Sequence, residues 1–306
     1  MTNFADRLIE AITEKGNPCI IGLDPRLELV PKIFFADSED KTQNEIVEDV
    51  LFDFNSCIID EIKGLVPAVK LQSAFYEQYG VPGIWAMKRS IRYAKQAGLI
   101  VVVDAKRNDI GSTAEAYANA YIGKTKIFEG DEAAFGADAM TVSPFLGADS
   151  LAPFVEAAKK YGTGIFVLVK NSNPGSGDFQ DLTTADGEKV YTKIARMVNT
   201  LGQDLVGESG YSSIGAVVGA TYPEEAAALR KIMPQALFLV PGYGAQGGTA
   251  HDTLPAFNED KRGAIVHSAR NIIFGQINQN VSREEYGHSV RENTEKMIAD
   301  ITGALK

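Results

Sequence analysis

The chain has 306 residues, 45% of them hydrophobic and 23% charged, and carries a formal net charge of −10 at pH 7. This composition is typical of a globular protein with enough apolar material for a large core. The acidic balance argues against nucleic acid or an acidic membrane surface as a main partner, since both need a basic face. The start of the chain shows no signal-peptide pattern and no apolar run reaches membrane-spanning length, so a cytoplasmic protein is expected.

The cysteine and histidine positions predict no metal site. Cys19 and Cys57 each lie beside apolar residues, and the three histidines are scattered at positions 251, 267 and 288 without a ligand spacing. Buried, reduced thiols are therefore expected, as in a reducing compartment.

Short apolar segments alternate with helical segments along the chain. Residues 4–14 have apolar side chains at helical spacing and are predicted to form an opening helix that packs under the fold. The predicted strands that follow are 19–23, 66–71, 100–103, 136–142, 164–169, 214–218, 236–240 and 264–266. The predicted helices are 44–62, 82–96, 113–120, 148–160, 189–205, 223–233 and 282–301.

Two stretches lie outside this alternation. Residues 31–43 mix charges without a clear period and are predicted to be a surface loop. Beyond the helix at 113–120, a helical stretch is predicted to run through Phe135. The sequence assigns no role to residues 31–43 or 119–135.

The eight predicted strands alternate with helices over about 300 residues, which is the pattern of a (β/α)8 barrel. We expect one catalytic domain over residues 1–306, with an N-terminal helix and surface insertions. In such barrels the carboxyl ends of the strands carry the chemistry, whereas the amino ends carry stability.

The strand at 100–103 leads into a cluster of alternating charges. Asp104 and Lys106 are two residues apart and project to one face of an extended backbone, and Asp109 follows where the strand must have ended. Their position at a strand carboxyl end makes them candidate functional groups. The alternative is that Asp104 and Lys106 only pair with each other.

Two further strand ends carry ionisable residues. Asp24 follows the first strand and precedes Pro25, so it either faces the same site or simply caps the turn. Lys70 interrupts the apolar run of the second strand. Because a buried lysine is costly without an anion, Lys70 either extends to solvent or points at a charge.

Three loops at later strand ends are suited to ligand binding. Residues 170–177 are rich in turn formers and small hydroxyls, typical of a plain connection or of a lid that hydrogen-bonds a ligand. Residues 241–248 are rich in glycine, which lets the backbone approach a ligand closely. Arg270 follows the eighth strand, and barrels commonly seat a phosphate at the ends of strands seven and eight.

Six segments, in one order along nearly the whole chain, resemble orotidine 5′-phosphate decarboxylase of the longer bacterial type. They are Gly22-Leu23-Asp24, Val69-Lys70, the run from Asp104 to Thr113, Ser172-Asn173-Pro174-Gly175, the run from Pro241 to Gly248, and Ser268-Ala269-Arg270. The central run resembles the family signature Asp-x-Lys-x-x-Asp-Ile-x-x-Thr. It departs from many shorter relatives at Gly111, where they carry proline, and this difference concerns only local loop geometry.

The resemblance implies an enzyme of pyrimidine biosynthesis that converts orotidine 5′-monophosphate to uridine 5′-monophosphate and carbon dioxide, without cofactor or metal. It implies a catalytic array of alternating charge, in which Lys106 protonates C6 of the pyrimidine and whose members are Lys70, Asp104, Lys106 and Asp109. The substrate-binding residues that it implies are Asp24, Ile110, Thr113, Ser172, Gln246, Gly247, Ala269 and Arg270. It also implies a homodimer in which Asp109 and Thr113 reach the neighbouring subunit's site.

Two other functions compete with this one. Magnesium-dependent sugar-phosphate decarboxylases and aldolases of the same superfamily share Asp-x-Lys-x-x-Asp, but they place a carboxylate on strand two. This chain has Lys70 there, a cation that would repel a metal. A catalytically silent barrel that only binds a nucleotide phosphate would keep Gln246 and Arg270 but does not need the intact charged array. The sequence therefore favours the decarboxylase over both.

Overall fold

The computed structural model describes residues 2–37, 39–275 and 278–306. Within these residues, eight parallel strands form a closed barrel in which the eighth pairs with the first, with Cys19 opposite Val266. The predicted (β/α)8 barrel is confirmed. In chain order the barrel strands are Cys19–Gly22 (β1), Ala68–Gln72 (β2), Ile100–Arg107 (β3), Ala139–Val142 (β4), Gly164–Lys170 (β5), Ser212–Val218 (β6), Ala236–Val240 (β7) and Ala264–Ser268 (β8).

Helices precede and connect the strands. The longer helices are Phe4–Lys15, Gln43–Ile62, Gly80–Gln96, Gly111–Tyr121, Ala148–Tyr161, Val190–Gly202, Pro223–Ile232 and Arg283–Leu305. Single helical turns are Ala74–Glu77, Gly177–Gln180, Ala250–Thr253 and Arg270–Ile273. Turns of 3₁₀ helix are Leu27–Leu29, Lys32–Phe35, Pro174–Ser176, Gln203–Leu205 and Leu254–Ala256. None of the described helices is both long and apolar enough to cross a membrane.

Reciprocal caps fix where the two longest helices begin. The Thr42 hydroxyl accepts the backbone N–H of Glu45, whose carboxylate accepts the backbone N–H of Thr42. Ser282 and Glu285 form the same arrangement at the start of the closing helix. These contacts satisfy N–H groups that have no partner inside a helix. The observed starts therefore lie within one residue of the predicted ones.

The apolar core has two layers, one between the barrel and its helices and one inside the barrel. The opening helix packs under the barrel, as predicted, where its Phe4 ring meets Phe166 edge-on with centroids 5.9 Å apart. Phe4 also lies against Gly164, the first residue of β5, so closely that a Cβ there would be 2.2 Å from the ring. The barrel is thus filled from its amino end.

The predicted helical stretch through Phe135 is wrong. The helix ends at Tyr121, and Thr125–Ile127 pairs antiparallel with Gly130–Glu132 in a small hairpin. All six paired residues are exposed, so no buried apolar face holds this segment in a helix. Alternate β-branched residues followed by a glycine favour a hairpin instead.

The predicted surface loop at residues 31–43 is only partly correct. Lys32–Phe35 form a 3₁₀ turn that carries Phe34 into the core. The Phe34 ring packs edge-on against Phe54 and Tyr286, at centroid distances of 5.5 and 5.4 Å. A single apolar anchor leaves no periodic pattern, which is why the sequence does not predict this contact.

Candidate active site

Three ionisable side chains meet at the carboxyl ends of β2 and β3. Lys70 Nζ lies 3.0 Å from Asp104 Oδ2, and Lys106 Nζ lies 2.6 Å from Asp104 Oδ1. They meet because the two strands are neighbours in a register that sets Gln72 opposite Asp104. Lys70 therefore points at a charge rather than at solvent, and Asp104 and Lys106 share a face as predicted.

Two uncharged side chains complete the surroundings of Asp104. Thr141, on β4, donates its hydroxyl to Asp104 Oδ1 at 2.8 Å, and Gln72 donates its amide to Oδ2 at 3.0 Å. Each carboxylate oxygen thus accepts one charged and one neutral hydrogen bond. Thr141 and Gln72 are not among the residues predicted from the sequence, and the only signal that they offer is their position near strand carboxyl ends.

The carboxyl of Asp104 is ionised although it is buried. Burial by itself would raise its pKa, but the Lys70 and Lys106 ammonium groups, with hydrogen bonds from Lys106 and Thr141, hold the pKa well below its usual range. Burial also opposes the charge on Lys70, yet Asp104 and Asp24 raise the pKa of Lys70 above its ordinary value. The site therefore holds a fixed negative charge between two positive charges.

The backbone at Lys106 lies in the left-handed region, with a φ of 49°. The pairing of β3 with β4 shifts register between Val103 and Arg107, and the Lys106 N–H donates to Thr141 Oγ1 at 2.9 Å. Such a conformation costs about 1–3 kcal/mol in a residue other than glycine and clusters at functional sites. The shift leaves the Lys106 side chain on a cavity wall, with 45% of it exposed.

The charged cluster opens into a cavity of about 300 Å³ at the mouth of the barrel. Asp24 lies on its wall and accepts the backbone N–H of Gln72 at 3.2 Å. Burial raises the pKa of Asp24, against the opposing effect of Lys70. Two further predicted residues, Ser172 and Gln246, also lie on this wall. Other side chains that line it are those of Phe75, Asn171, Asn173 and Pro241.

A buried ion pair closes the loop that carries Ser172. Lys170 is fully buried at the end of β5, and its Nζ lies 2.7 Å from Asp181 Oδ1. The same ammonium lies 4.3 Å from the ring centroid of Tyr222. The two ends of this loop are therefore tied together beside the cavity. The pairing of Lys170 with Asp181 is not predictable from the sequence, because no local pattern marks Asp181 as the partner.

A second cavity, of about 180 Å³, adjoins the first. Ala269 and Arg270 lie on its wall, next to the glycine-rich loop after β7. Gly247, which was also predicted to bind substrate, is exposed and lines neither cavity. The residues shared by the two walls are Asp24, Phe75, Gln246 and His267.

Three predicted site residues lie away from both cavities of their own chain. Asp109, Ile110 and Thr113 follow β3, and none of them lines either wall. Asp109 Oδ1 accepts the backbone N–H of Ile110 at 2.8 Å, and Ile110 is 58% exposed. One chain therefore brings together three of the four members of the predicted charged array.

One histidine lies where the two cavities meet, and the sequence does not single it out. His267 Nε2 is buried without a hydrogen-bond partner among the described residues. Burial lowers the pKa of His267 well below its ordinary value, and Lys70 adds to the effect, so the imidazole is neutral. In the described part of the chain, no group of three or more His, Cys, Asp or Glu side chains is placed to hold a metal ion.

Comparison with known proteins identifies the family. The model of the orotidine 5′-phosphate decarboxylase / HUMPS family matches residues 20–283. The chain belongs to this family. The orotidine 5′-phosphate decarboxylase of Rhodopirellula baltica is 47% identical over 293 residues, which cover 96% of this chain and 94% of the relative. That of Caldicellulosiruptor saccharolyticus is 44% identical over 280 residues, which cover 91% and 92%.

Solved structures of the decarboxylase family share the barrel over its full length. A putative orotidine 5′-phosphate decarboxylase from Streptomyces avermitilis has a TM-score of 0.80 and 30% identity, covering 100% of this chain and 96% of that one. The OMP decarboxylase of Leishmania donovani has a TM-score of 0.74 and 28% identity, covering 99% of both. The resemblance drawn from the six sequence segments is thus confirmed.

Proposed function

We propose that this enzyme converts orotidine 5′-monophosphate to uridine 5′-monophosphate and carbon dioxide in pyrimidine biosynthesis, without a cofactor. The observation that carries the proposal is Asp104, held between two lysine ammonium groups beside a cavity that continues to Arg270. Membership of the family and the names of the relatives supply the reaction.

The reaction requires a site that favours a carbanion over a carboxylate. When carbon dioxide leaves, the electron pair of the broken bond stays on C6, so negative charge moves from the substrate carboxylate to the ring. Asp104 is fixed and ionised, and it repels the substrate carboxylate in the bound ground state. That repulsion ends as carbon dioxide departs. The Lys106 ammonium then stabilises the charge on C6.

We assign the proton transfer to Lys106 rather than to Lys70. The side chain of Lys70 is 4% exposed, whereas that of Lys106 is 45% exposed and borders the cavity. Lys106 donates its proton to C6, and its neutral amine regains a proton from water after the product leaves. Lys70 remains charged and holds Asp104 in place.

The two adjoining cavities suit the two ends of the nucleotide. The larger one, with the charged cluster and Ser172, takes the pyrimidine, and the smaller one, with Arg270, takes the phosphate. Asp24 lies where they meet and accepts a hydrogen bond from a ribose hydroxyl. Binding energy from the phosphate, which is remote from C6, is then available to orient the ring.

Lys70 argues against the magnesium-dependent alternative. A magnesium site built on Asp104 needs a free carboxylate oxygen. Both oxygens of Asp104 accept hydrogen bonds from lysine ammonium groups, one of them from the buried Lys70. A cation in this position would have to displace a charged, buried side chain.

We further propose a homodimer that shares its active sites. Exposed apolar side chains lie on the segments that follow β3, β4 and β5, and the Phe145 and Phe179 rings meet edge-on at 6.0 Å. An exposed apolar patch of this kind is typical of an association surface. Asp109 and Thr113, on the same side of the barrel, would complete the charged cluster of the partner. The exposed apolar residues are Ile110, Phe145, Leu146, Phe179 and Leu182.

The cysteines support a cytoplasmic location for the enzyme. Cys19 and Cys57 are both buried and free. Burial raises the pKa of Cys57 to about 11, so its thiol is unreactive at neutral pH. Unpaired buried thiols are typical of proteins from a reducing compartment.

The test is to mix the purified protein with orotidine 5′-monophosphate and EDTA and to follow the loss of the orotate absorbance. We expect the absorbance to disappear at the same rate with and without EDTA, and an Asp104→Asn variant to be inactive. No loss of absorbance would refute the activity. Loss that EDTA abolishes and magnesium restores would refute the metal-independent mechanism.

A further inference from the structure

We infer that Arg26 is a second ligand of the substrate phosphate, in the same cavity as Arg270. The inference rests on the proposed function, because it assigns one more side chain to the phosphate end of the same site. Neither the charged array nor the phosphate segments of the sequence analysis include Arg26.

The position of Arg26 is set by the turn that follows β1. Its backbone is extended, with a φ of −135° and a ψ of 112°. The next residue, Leu27, donates its backbone N–H to the Tyr79 hydroxyl at 3.2 Å, which ties the turn to the segment after β2. From this turn the Arg26 side chain lies on the wall of the 180 Å³ cavity, together with Gln246 and Arg270.

Contact with an aromatic ring leaves the donors of Arg26 available. Its guanidinium carbon lies 4.8 Å from the ring centroid of Phe75, which lines the same cavity. An arginine can rest against a ring through the face of its planar guanidinium, and its five N–H groups then point outward in the plane. A half-buried arginine held in this way is oriented before a ligand binds, and its planar donors match phosphate oxygens.

The charges around the cavity also point to an anionic ligand. Within residues 2–37, 39–275 and 278–306, neither Arg26 nor Arg270 forms a salt bridge, although the chain has a net charge of −10. Both side chains line the same cavity, so their charges are available to one ligand. A phosphate monoester carries about −1.5 to −2 charges at pH 7, so one arginine leaves part of that charge unmatched. Two arginines balance it.

The experiment compares Arg26→Ala and Arg26→Lys with the wild type. A matched control is Arg262→Ala, an exposed arginine just before β8, at the amino end of the barrel. Four quantities are measured for each protein: the KM and the kcat for orotidine 5′-monophosphate, the inhibition constant of inorganic phosphate, and kcat/KM for orotidine, which lacks the phosphate.

For Arg26→Ala we expect KM and the phosphate inhibition constant to rise together by about ten- to a hundredfold. This is the effect expected when hydrogen bonds to a charged group are lost. Arg26→Lys should recover part of this loss, and Arg262→Ala should behave as the wild type. The value of kcat/KM for orotidine should not change, whereas a variant that merely disturbs the fold would lower it.

The assignment is overturned if KM and the phosphate inhibition constant of Arg26→Ala stay within about twofold of the wild type. It is also overturned if orotidine and its phosphate ester lose activity equally. If Arg26→Ala is active and its KM and phosphate inhibition constant are unchanged, the role of Arg26 is refuted but the proposed decarboxylation is not. If the wild type is inactive, calorimetric binding of uridine 5′-monophosphate by the same variants still tests Arg26 alone.

Discussion

Lys70 and Asp104 form an ion pair in the wall of the barrel, with Nζ 3.0 Å from Oδ2 and side chains that are 4% and 12% exposed. They come from neighbouring strands, where Lys70 lies opposite Val102 and Gln72 lies opposite Asp104. Because Lys70 and Lys106 approach different oxygens of Asp104, the carboxylate cannot turn away from the cavity without breaking a charged contact. The electrostatics of the proposed reaction depend on this pair.

The first prediction concerns the dependence of stability on pH. The pKa of Asp104 in the folded protein lies below its unfolded value of about 3.9. The stabilisation from its ionised form is therefore present above about pH 4 and is lost as the pH falls further. We expect Asp104→Asn to lower the free energy of unfolding by about 3–5 kcal/mol at pH 7, since it removes the carboxylate in direct contact with the buried Lys70 ammonium.

Urea unfolding of wild type and Asp104→Asn between pH 3 and 8 measures this difference. The difference should be constant from about pH 5 to 8 and shrink below about pH 4. Equal stability of the two proteins at pH 7 would mean that the pair does not stabilise the fold.

The second prediction concerns Arg270. Arg270→Ala should raise KM for orotidine 5′-monophosphate far more than it changes kcat, because a phosphate remote from C6 loses a bidentate partner. If part of that binding energy drives loop closure, kcat falls as well. Steady-state kinetics separate the two effects, and an unchanged KM would contradict the assignment of Arg270 to the phosphate.

The third prediction concerns the loop that carries Ser172. Asp181→Asn leaves the fully buried Lys170 ammonium without its partner, so we expect a loss of stability of about 3 kcal/mol and a higher KM. The matched control is Asp186→Asn, which breaks an exposed pair with Lys193 and should leave stability nearly unchanged, because solvent screens an exposed pair. Thermal unfolding and steady-state kinetics of both variants are the measurements. An Asp181→Asn enzyme as stable and as active as the control would show that the Lys170 pair does not hold the loop.

The fourth prediction concerns the dimer. If Asp109 completes the partner's site, then Asp109→Ala and Lys106→Ala proteins, each inactive, should regain activity when mixed under conditions that exchange subunits. Each heterodimer then has one site with both lesions and one site with neither. Random exchange should restore about one quarter of the wild-type sites.

The control for subunit exchange is a mixture of Asp104→Ala and Lys106→Ala. Both of these residues lie in the same cavity of one chain, so no heterodimer has an intact site and no activity should return. If the Asp109→Ala and Lys106→Ala mixture also stays inactive after exchange, Asp109 serves its own subunit.

The eight strands and most of their helices can be predicted from the sequence alone. Runs of branched apolar residues and capping pairs such as Thr42 with Glu45 act over a few positions, so they can be read without knowing the fold. The sequence also locates Asp24, Lys70, Asp104 and Lys106, because the carboxyl ends of parallel strands converge on one mouth. Their assigned roles stay predictions.

The partners of these residues depend on how distant strands pack together. Thr141 reaches Asp104 from 37 positions away in the sequence, and such a contact leaves no local pattern. The side chain of Lys70 points at Asp104 because of the register between β2 and β3. The predicted helix over residues 125–132 is wrong because the paired residues of this hairpin are exposed and pack no apolar face on the core, so local turn chemistry, rather than helical periodicity, sets the conformation.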